Sequence, residues 1–246
     1  MNKKRLLTVM GGTQKYYQSV LNTFGSSVIG YWTLAESSGT VAYDYSGNAR
    51  NGTYSNVTQG QPSIGARTAS SLFVPASSST VNIYSAGLAS AFNGSEGTIQ
   101  FIMKVSAASV WNAASTMRQT TLQVDASNRI YISIVSGSAN ALSLVYVSGG
   151  TTNIATISTT SAAPIVVSLT WSKSNDRVRG YLNSVQQGAN VTGLGIWAGA
   201  LAGNATVISG ASSAGNFGND GWMSNYFLLN REATPAELLA TMPPLP

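Results

Sequence analysis

The acidic side chains are the first residues to test for chemistry, because they are few and widely spread. The 246-residue chain contains eight of them: Glu36, Asp44, Glu96, Asp125, Asp176, Asp220, Glu232 and Glu237. Hydrolysis of a glycosidic bond needs two carboxylates about 5–10 Å apart, which positions i and i+2 or i+4 of one strand provide. No two acids lie within four positions of each other. The spacing therefore predicts no catalytic carboxylate pair within a strand.

Histidine and cysteine are absent from the chain. Ser-His-Asp and Cys-His catalysis, disulfides and zinc sites of the Cys/His type are thereby excluded. A calcium ion needs several oxygen ligands, for which Asp44 in DYSGN and Asp220 in GNDG are the best candidates. Each carboxylate would equally well cap its own turn. We therefore predict a protein that is not an enzyme and has no cofactor, with calcium as an alternative at these two residues.

Aromatic side chains in loop-like contexts are candidates for carbohydrate binding, which needs an exposed ring beside amides or hydroxyls. Trp111 in SVWNAAS and Trp197 in GIWAGA fit this description, and Tyr181 falls on the outward-facing side of the RVRGYLN strand pattern. Burial in the core or in a contact between identical subunits is the alternative for the two tryptophans. The remaining tryptophans lie in strand patterns and are expected in the core: Trp32, Trp171 and Trp222.

The elements that must position these residues are mostly strands. Apolar and polar residues alternate in TIQFIMKV, RIYISIV, LSLVYV and IVVSLTWS, and turn signals such as FNGSEG and VSGG separate them. This pattern predicts an all-β fold, a two-sheet antiparallel sandwich or jelly roll. We expect Trp171 between the sheets, facing the strand region Val28–Leu34.

Two short helices are predicted at the ends of the chain. Apolar residues at helical spacing favour a helix over residues 14–24, where Gly25 would end it. The sequence EATPAELLATM favours a second helix over residues 235–241, since Thr234 and Glu237 form a capping box around Pro235. The predicted domain organisation is thus an arm and short helix over residues 1–25, followed by one sandwich domain over 26–246.

The positive charge of the chain is concentrated at its start. The first 15 residues hold four basic side chains and no acid, whereas the rest holds nine basic and eight acidic residues. A body this close to neutral lacks the clustered basic face of nucleic-acid-binding proteins. We expect the arm to be solvated or to dock on a partner surface through its charged and apolar residues, Lys3, Lys4, Arg5, Leu6, Leu7 and Lys15.

The motifs that follow the arm resemble those of laminin-G-like domains in the concanavalin A-like lectin/glucanase superfamily. These domains commonly begin with Y-W-x-L-x-E-x-S-G-T, then D-x-S-G-N and N-G-T-Y, which here span residues 31–40, 44–48 and 51–54. Residues 169–188 and 221–242 resemble later family segments. The chain departs from the pattern at Ser184, which replaces a glycine, and at Ser224 and Asn225, where related domains often have acids. The departure at Ser224 and Asn225 weakens the case for a metal.

The short segment before the first strand narrows the resemblance to domains of bacteriophage structural proteins, both head-decoration and tail-associated. This resemblance implies a non-enzymatic virion module that binds capsid or tail subunits, and its alternatives are a free-standing or cell-surface lectin and a degenerate glucanase. The apolar run LLTVM has only five residues, and a signal peptide needs roughly 7–15. We therefore expect synthesis in the host cytoplasm without a signal peptide, location on the virion surface and no membrane insertion.

Overall fold

Strands dominate the structure, a computed structural model that describes residues 15–66, 68–74, 78–210 and 218–246. Eight of them form sheet A: β1 Val28–Trp32, β4 Thr58–Gly65, β5 Thr68–Phe73, β7 Glu96–Val105, β12 Ile165–Ser172, β13 Arg177–Leu182, β14 Val185–Val191 and β16 Gly221–Leu229. The order in this sheet is β14–β13–β12–β7–β16–β5–β4, and β1 pairs with the second half of β16.

The other eight strands form sheet B: β2 Val41–Ala42, β3 Gly52–Ser55, β6 Thr80–Asn82, β8 Met117–Gln123, β9 Arg129–Ile134, β10 Ala141–Ser148, β11 Thr151–Ser158 and β15 Thr206–Ile208. Their order is β11–β10–β9–β8–β15–β6–β3–β2. Neighbouring strands in both sheets pair antiparallel. The predicted two-sheet antiparallel sandwich is confirmed.

The core lies between the two sheets, as the alternation of the strands predicts. Ile99, Phe101 and Met103 of β7 point into it from sheet A, and Ile130 and Ile132 of β9 point into it from sheet B. All five are fully buried. Burying a side chain of this size contributes about 1.5–3 kcal/mol, so this interior is the main source of stability.

A second apolar cluster covers the outer face of sheet A. Three α-helices lie in the described part of the chain: α1 Tyr16–Phe24, α2 Ala86–Ala91 and α3 Pro235–Ala240. Tyr16, Val20 and Phe24 of α1 pack in this cluster with Phe227 of β16 and Leu238 of α3. The central strands β12 and β16 of sheet A are therefore buried on both faces, whereas its edge strands β14 and β4 are largely exposed.

Both predicted helices are present. Helix α1 covers the predicted segment from residue 16 onward. Helix α3 begins after the capping box that the sequence indicates, in which the Thr234 hydroxyl accepts from the Glu237 amide while the Glu237 carboxylate accepts from the Thr234 amide. None of the described helices is long and apolar enough to cross a membrane.

The expected burial of Trp171 is confirmed, but its expected neighbour is wrong. Its ring is fully buried and stacks on Tyr146 of sheet B, with centroids 6.2 Å apart. It does not face Val28–Leu34, because β1 pairs into the same sheet as β12 and so cannot lie across the interior from it. Trp222, also expected in the core, is half-buried on the outer face, where Lys104 lies 5.0 Å from its ring centroid.

Candidate functional site

Trp197 is the one of the three predicted carbohydrate-binding aromatics that reaches the surface. Its side chain is half-buried and lies in the loop between β14 and β15, beside Ile196, whose exposed fraction is 74%. One edge of the Trp197 ring contacts Phe92, with centroids 5.5 Å apart in a T-shaped arrangement. The centroid of the Tyr146 ring lies 6.0 Å from that of Trp197. The ring is thus held by aromatic neighbours and still reaches solvent.

Glycines fix the position of this loop end. A Cβ at Gly94 would lie 2.1 Å from the Trp197 ring, so only glycine allows the ring to lie against the backbone there. A Cβ at Gly195 would lie 1.9 Å from the Ser148 carbonyl oxygen. The loop therefore packs directly against the end of β10, and the position of Trp197 depends on close backbone contact.

Polar groups beside Trp197 are fixed by a single asparagine. The Asn128 carbonyl oxygen Oδ1 accepts hydrogen bonds from the amides of Ala198, at 3.0 Å, and Gly149, at 3.2 Å. The Asp125 carboxylate in turn accepts from the amides of Ser127 and Asn128. These bonds tie the β8–β9 and β10–β11 turns to the Trp197 loop. We name this loop end, comprising Asn128, Gly149, Ile196 and Trp197, the Trp197 platform.

The sequence analysis missed Phe92 and Tyr146, the side chains that support the platform. Phe92 precedes a turn, and Tyr146 lies in a strand whose inward face the alternation does identify. The sequence contains no signal that these two residues meet Trp197, because they are far apart in the chain. Only strand order brings them together.

The expectation that Trp111 and Tyr181 offer exposed rings is wrong. Trp111 is 1% exposed within the core, and its indole N–H donates to the Ser161 carbonyl at 2.9 Å. Tyr181 points outward from sheet A as predicted, but it is fully buried because the cluster containing α1 and α3 covers that face. A buried ring cannot stack on a sugar, so neither residue contributes to the platform.

Seven of the eight carboxylates hold local structure together. Glu36 accepts from the Tyr54 hydroxyl, Glu96 from the Ser174 amide, and Asp176 from the Gly193 and Leu194 amides. Backbone bonds from Gly193 and Leu194 lower the pKa of Asp176. The Asp220 side chain makes no hydrogen bond to another of the described residues. These hydrogen bonds give the seven carboxylates a structural role in turns, caps and ion pairs.

Among the described residues, the ion pairs with the lowest solvent exposure lie on the outward face of β13. Glu232 receives a 2.6 Å hydrogen bond from Arg179 and a 2.9 Å bond from Arg177, and the side chains of Glu232 and Arg179 are only 9% and 8% exposed. Burial raises the pKa of Glu232, but bonds and charge from the two arginines outweigh it and place the pKa below its ordinary value. This cluster anchors the segment that precedes α3.

Asp44, one of the two calcium candidates, caps its own turn and ties that turn to β1. Its carboxylate accepts from the amides of Tyr31, Ser46 and Arg50 at 2.8–3.0 Å and from the Ser46 hydroxyl. Asp220 precedes β16, and its backbone carbonyl accepts from the Ser106 amide. No group of three His, Cys, Asp or Glu side chains that could hold a metal ion occurs in the described ranges.

Lys15 is the one predicted arm residue that the structure describes. It is exposed at the start of α1, on the outer side of sheet A, beside a cavity of about 640 Å³ whose lining includes Tyr17, Thr33, Tyr45 and Met242. The other predicted arm residues lie outside the described residues: Lys3, Lys4, Arg5, Leu6 and Leu7.

Solved structures share the fold of this chain at low sequence identity. No protein-family model matches it, and no curated protein matches it in sequence. The botulinum neurotoxin serotype D binding domain matches with a TM-score of 0.63 at 13% identity, covering 89% of this chain and 52% of that one. Trypanosoma rangeli sialidase matches with a TM-score of 0.59 at 12% identity, covering 88% of this chain and 33% of the sialidase.

The receptor-binding domain of the botulinum neurotoxin C/D mosaic serotype matches similarly, with a TM-score of 0.63 at 12% identity over 87% of this chain and 50% of that one. The chain thus spans about half the length of the neurotoxin structures and a third of the sialidase. At these identities the similarity shows the two-sheet β-sandwich fold alone. The laminin-G-like resemblance and the viral origin stay predictions.

Proposed function

We propose that this protein is a non-enzymatic adhesive module that binds a glycan through the Trp197 platform and is displayed on a virus particle. The observation that carries the proposal is the half-buried Trp197 ring, fixed by Gly94, Phe92 and Tyr146 at a loop end of a lectin-like sandwich. A rigid aromatic ring with a hydrophobic neighbour is the kind of surface that dominates binding energy at interfaces. The exposed Ile196 extends that surface.

Two further observations support binding without catalysis. Structures of similar fold include receptor-binding domains of botulinum neurotoxins, which supports a binding role, and also a sialidase, which is an enzyme. Seven of the eight carboxylates support turns, caps and ion pairs. An incubation with β-glucans that releases no reducing sugar is the expected result, and release of reducing sugar would favour the degenerate glucanase instead.

Glycan binding is tested on a glycan array with two platform variants and one control. Trp197→Ala removes the ring, and Ile196→Asp changes an exposed side chain whose replacement leaves the core intact. Trp222→Ala removes a half-buried tryptophan from the outer face of sheet A and is the matched control. We expect both platform variants to lose at least about tenfold in affinity, or about 1.4 kcal/mol, and the control to bind normally. Equal binding by all three variants would exclude the platform as the glycan site.

Attachment to a particle is the second part of the proposal. The basic arm joins the described chain at the outer side of sheet A, next to the Lys15 cavity, which supports docking of residues 1–14 on a capsid or tail subunit. Deleting residues 2–12 should leave the melting temperature nearly unchanged, because the Lys and Arg side chains of this segment are not expected to be buried without partners. Co-sedimentation with particles should be lost, and in the full-length chain it should weaken as salt is added.

Two outcomes separate the alternatives. A truncated protein that still decorates particles at full occupancy would show that the arm is not the anchor. A full-length protein that binds glycans but no particle would favour the free-standing or cell-surface lectin.

A further inference from the structure

The strands of sheet B contain an isolated pair of charges. Arg118 on β8 and Arg129 on β9 are the only charged residues in its eight described strands. Both belong to the outer face, because Arg118 pairs with Ser133, and Arg129 and Ser133 alternate with the inward-facing Ile130 and Ile132. The two positive charges thus lie on a face to which no strand contributes a carboxylate.

Both guanidinium groups lie over the same aromatic ring. The Arg118 guanidinium carbon is 4.0 Å from the centroid of Tyr131, and that of Arg129 is 5.5 Å from it. The two cations are therefore at most about 9.5 Å apart, the sum of those distances. Like charges at this separation repel each other, and the Tyr131 ring offsets this repulsion only in part.

The two arginines lack the partners that every other described arginine has. Arg50 bonds to a backbone carbonyl, and Arg177, Arg179 and Arg231 bond to carboxylates. Neither Arg118 nor Arg129 makes a side-chain hydrogen bond or ion pair within the described ranges, and the Nε atom of each is buried without a partner.

Arg118 is 9% exposed, and burial is the main cause that lowers its pKa, with Arg129 lowering it further. Burying a cation without an anionic partner raises the free energy of the folded protein, and such cations are uncommon in folded proteins. An anion bound between the two arginines would remove that cost.

A row of free hydroxyls runs across sheet B from Arg118. Arg118 pairs with Ser133, Ser133 with Ser143, and Ser143 with Thr156, all on the outer face. Ser133 is fully buried with an unpartnered Oγ, Ser143 is half-buried and Thr156 is exposed. At the usual strand spacing the row is about 14 Å long, with its deep end at the arginine.

We propose that the outer face of sheet B is a binding site for an acidic saccharide, whose carboxylate or sulfate group binds between Arg118 and Arg129 and whose hydroxyls bond to Ser143 and Thr156. Guanidinium groups bind both kinds of oxyanion through paired N–H donors. This site lies on the face of a sheet and is separate from the Trp197 platform. It does not depend on glycan binding there.

The same features argue against other acidic ligands. A nucleic acid needs many basic contacts along its backbone, and the strands of this sheet supply two. An extended peptide is usually bound by adding a strand to a sheet edge, whereas β8 and β9 lie in the middle of sheet B. A hydroxyl-rich ligand with few charges fits the free hydroxyls and the isolated arginine pair.

The test uses the full-length protein and saccharide probes that differ only in charge. Oligogalacturonate supplies carboxylates, and its methyl ester is the neutral counterpart; sulfated dextran supplies sulfates, and unmodified dextran of equal length is its counterpart. Isothermal titration should show binding of one acidic probe and at least tenfold weaker binding of its neutral counterpart. The probe that binds identifies the anion. Absence of binding to both acidic probes would overturn the proposal, as would a thymidine oligonucleotide that binds equally tightly.

Variants then locate the site. Arg118→Met should abolish binding without lowering the melting temperature, because it removes an unpaired buried cation. If Arg118 instead served to stabilise the fold, this substitution would lower the melting temperature. Arg129→Gln should weaken binding at least tenfold, and Ser143→Ala less. Lys104→Gln makes the same change in net charge on sheet A and should bind normally. An equal loss in Lys104→Gln would mean non-specific attraction and would overturn the assignment.

This outcome is distinguishable from that of the Trp197 platform. Trp197→Ala should retain binding of the acidic probe, and Arg118→Met should retain binding of any array glycan that depends on Trp197. Each proposal can therefore fail without the other.

Discussion

Two glycines beside tryptophan rings allow a matched test of how the interior differs from the Trp197 platform. A Cβ at Gly97 would lie 2.0, 2.5 and 2.6 Å from three atoms of the Trp171 ring, and one at Gly94 would lie 2.1, 2.1 and 2.4 Å from the Trp197 ring. The two alanine substitutions thus introduce the same clash. The difference is that Trp171 is fully buried and Trp197 reaches solvent.

The expected change in stability for each substitution depends on whether the neighbouring tryptophan ring has space to move away from the added methyl group. Replacing glycine by alanine gains about 0.4–1 kcal/mol from the unfolded chain, and neither glycine has a positive φ that would oppose it. Trp171 lies between Phe92 and Tyr146 and has no free space, so overpacking should cost about 1–3 kcal/mol or more. We expect Gly97→Ala to destabilise by about 2 kcal/mol, or about 4–8 °C in Tm. Trp197 is only half-buried, so the added methyl group can displace its ring towards solvent, and Gly94→Ala should cost less than about 1 kcal/mol.

The assay combines urea unfolding followed by circular dichroism with tryptophan fluorescence and glycan binding. Gly94→Ala should red-shift the emission and remove glycan binding with little change in stability, whereas Gly97→Ala should reduce stability and leave the platform in place. In a Trp171→Phe background, the cost of Gly97→Ala should fall, because the clashing part of the indole is gone. The reasoning is refuted if Gly97→Ala costs less than about 0.5 kcal/mol, or if the Phe background leaves its cost unchanged.

The remaining predictions concern ion pairs and the core. Glu232→Gln should cost about 3 kcal/mol in denaturant unfolding, because it leaves Arg179 buried without its carboxylate; a cost below about 1 kcal/mol would mean the pair is solvated. The hydrogen bond from Arg231 lowers the pKa of Glu237 from 4.5 to about 2, so this carboxylate stabilises the fold above pH 4.5 and the benefit is lost as pH falls towards 2. Because the pair is partly exposed, Glu237→Gln should cost only about 1 kcal/mol at pH 7, and the cost should become small at pH 2 and vanish below it; a pH-independent difference would contradict the assignment. Trp171→Ala should cost about 3–5 kcal/mol, and less than about 1 kcal/mol would place the ring outside the core.

The amino-acid sequence alone is sufficient for the fold class, a two-sheet antiparallel sandwich, because alternation along a strand is a local property. The inward faces of β7 and β9 and the capped start of α3 are all predicted from residues close together in the chain. The lack of histidine and cysteine and the wide spacing of the acids likewise favour binding over catalysis. Each of these inferences uses only composition or near neighbours in sequence.

Tertiary structure decided which outward faces are covered and which residues meet. Alternation placed Tyr181 on the outer face of sheet A, but only the packing of α1 and α3 shows that this face is buried. The sequence context of Trp111 indicated a loop residue, but the structure buries its ring in the core. The platform and the arginine pair depend on strand order, which brings Tyr146 to Trp197 and Arg118 to Tyr131. Strand order is set by the total burial and hydrogen bonding of both sheets, and no local segment of the sequence contains that information.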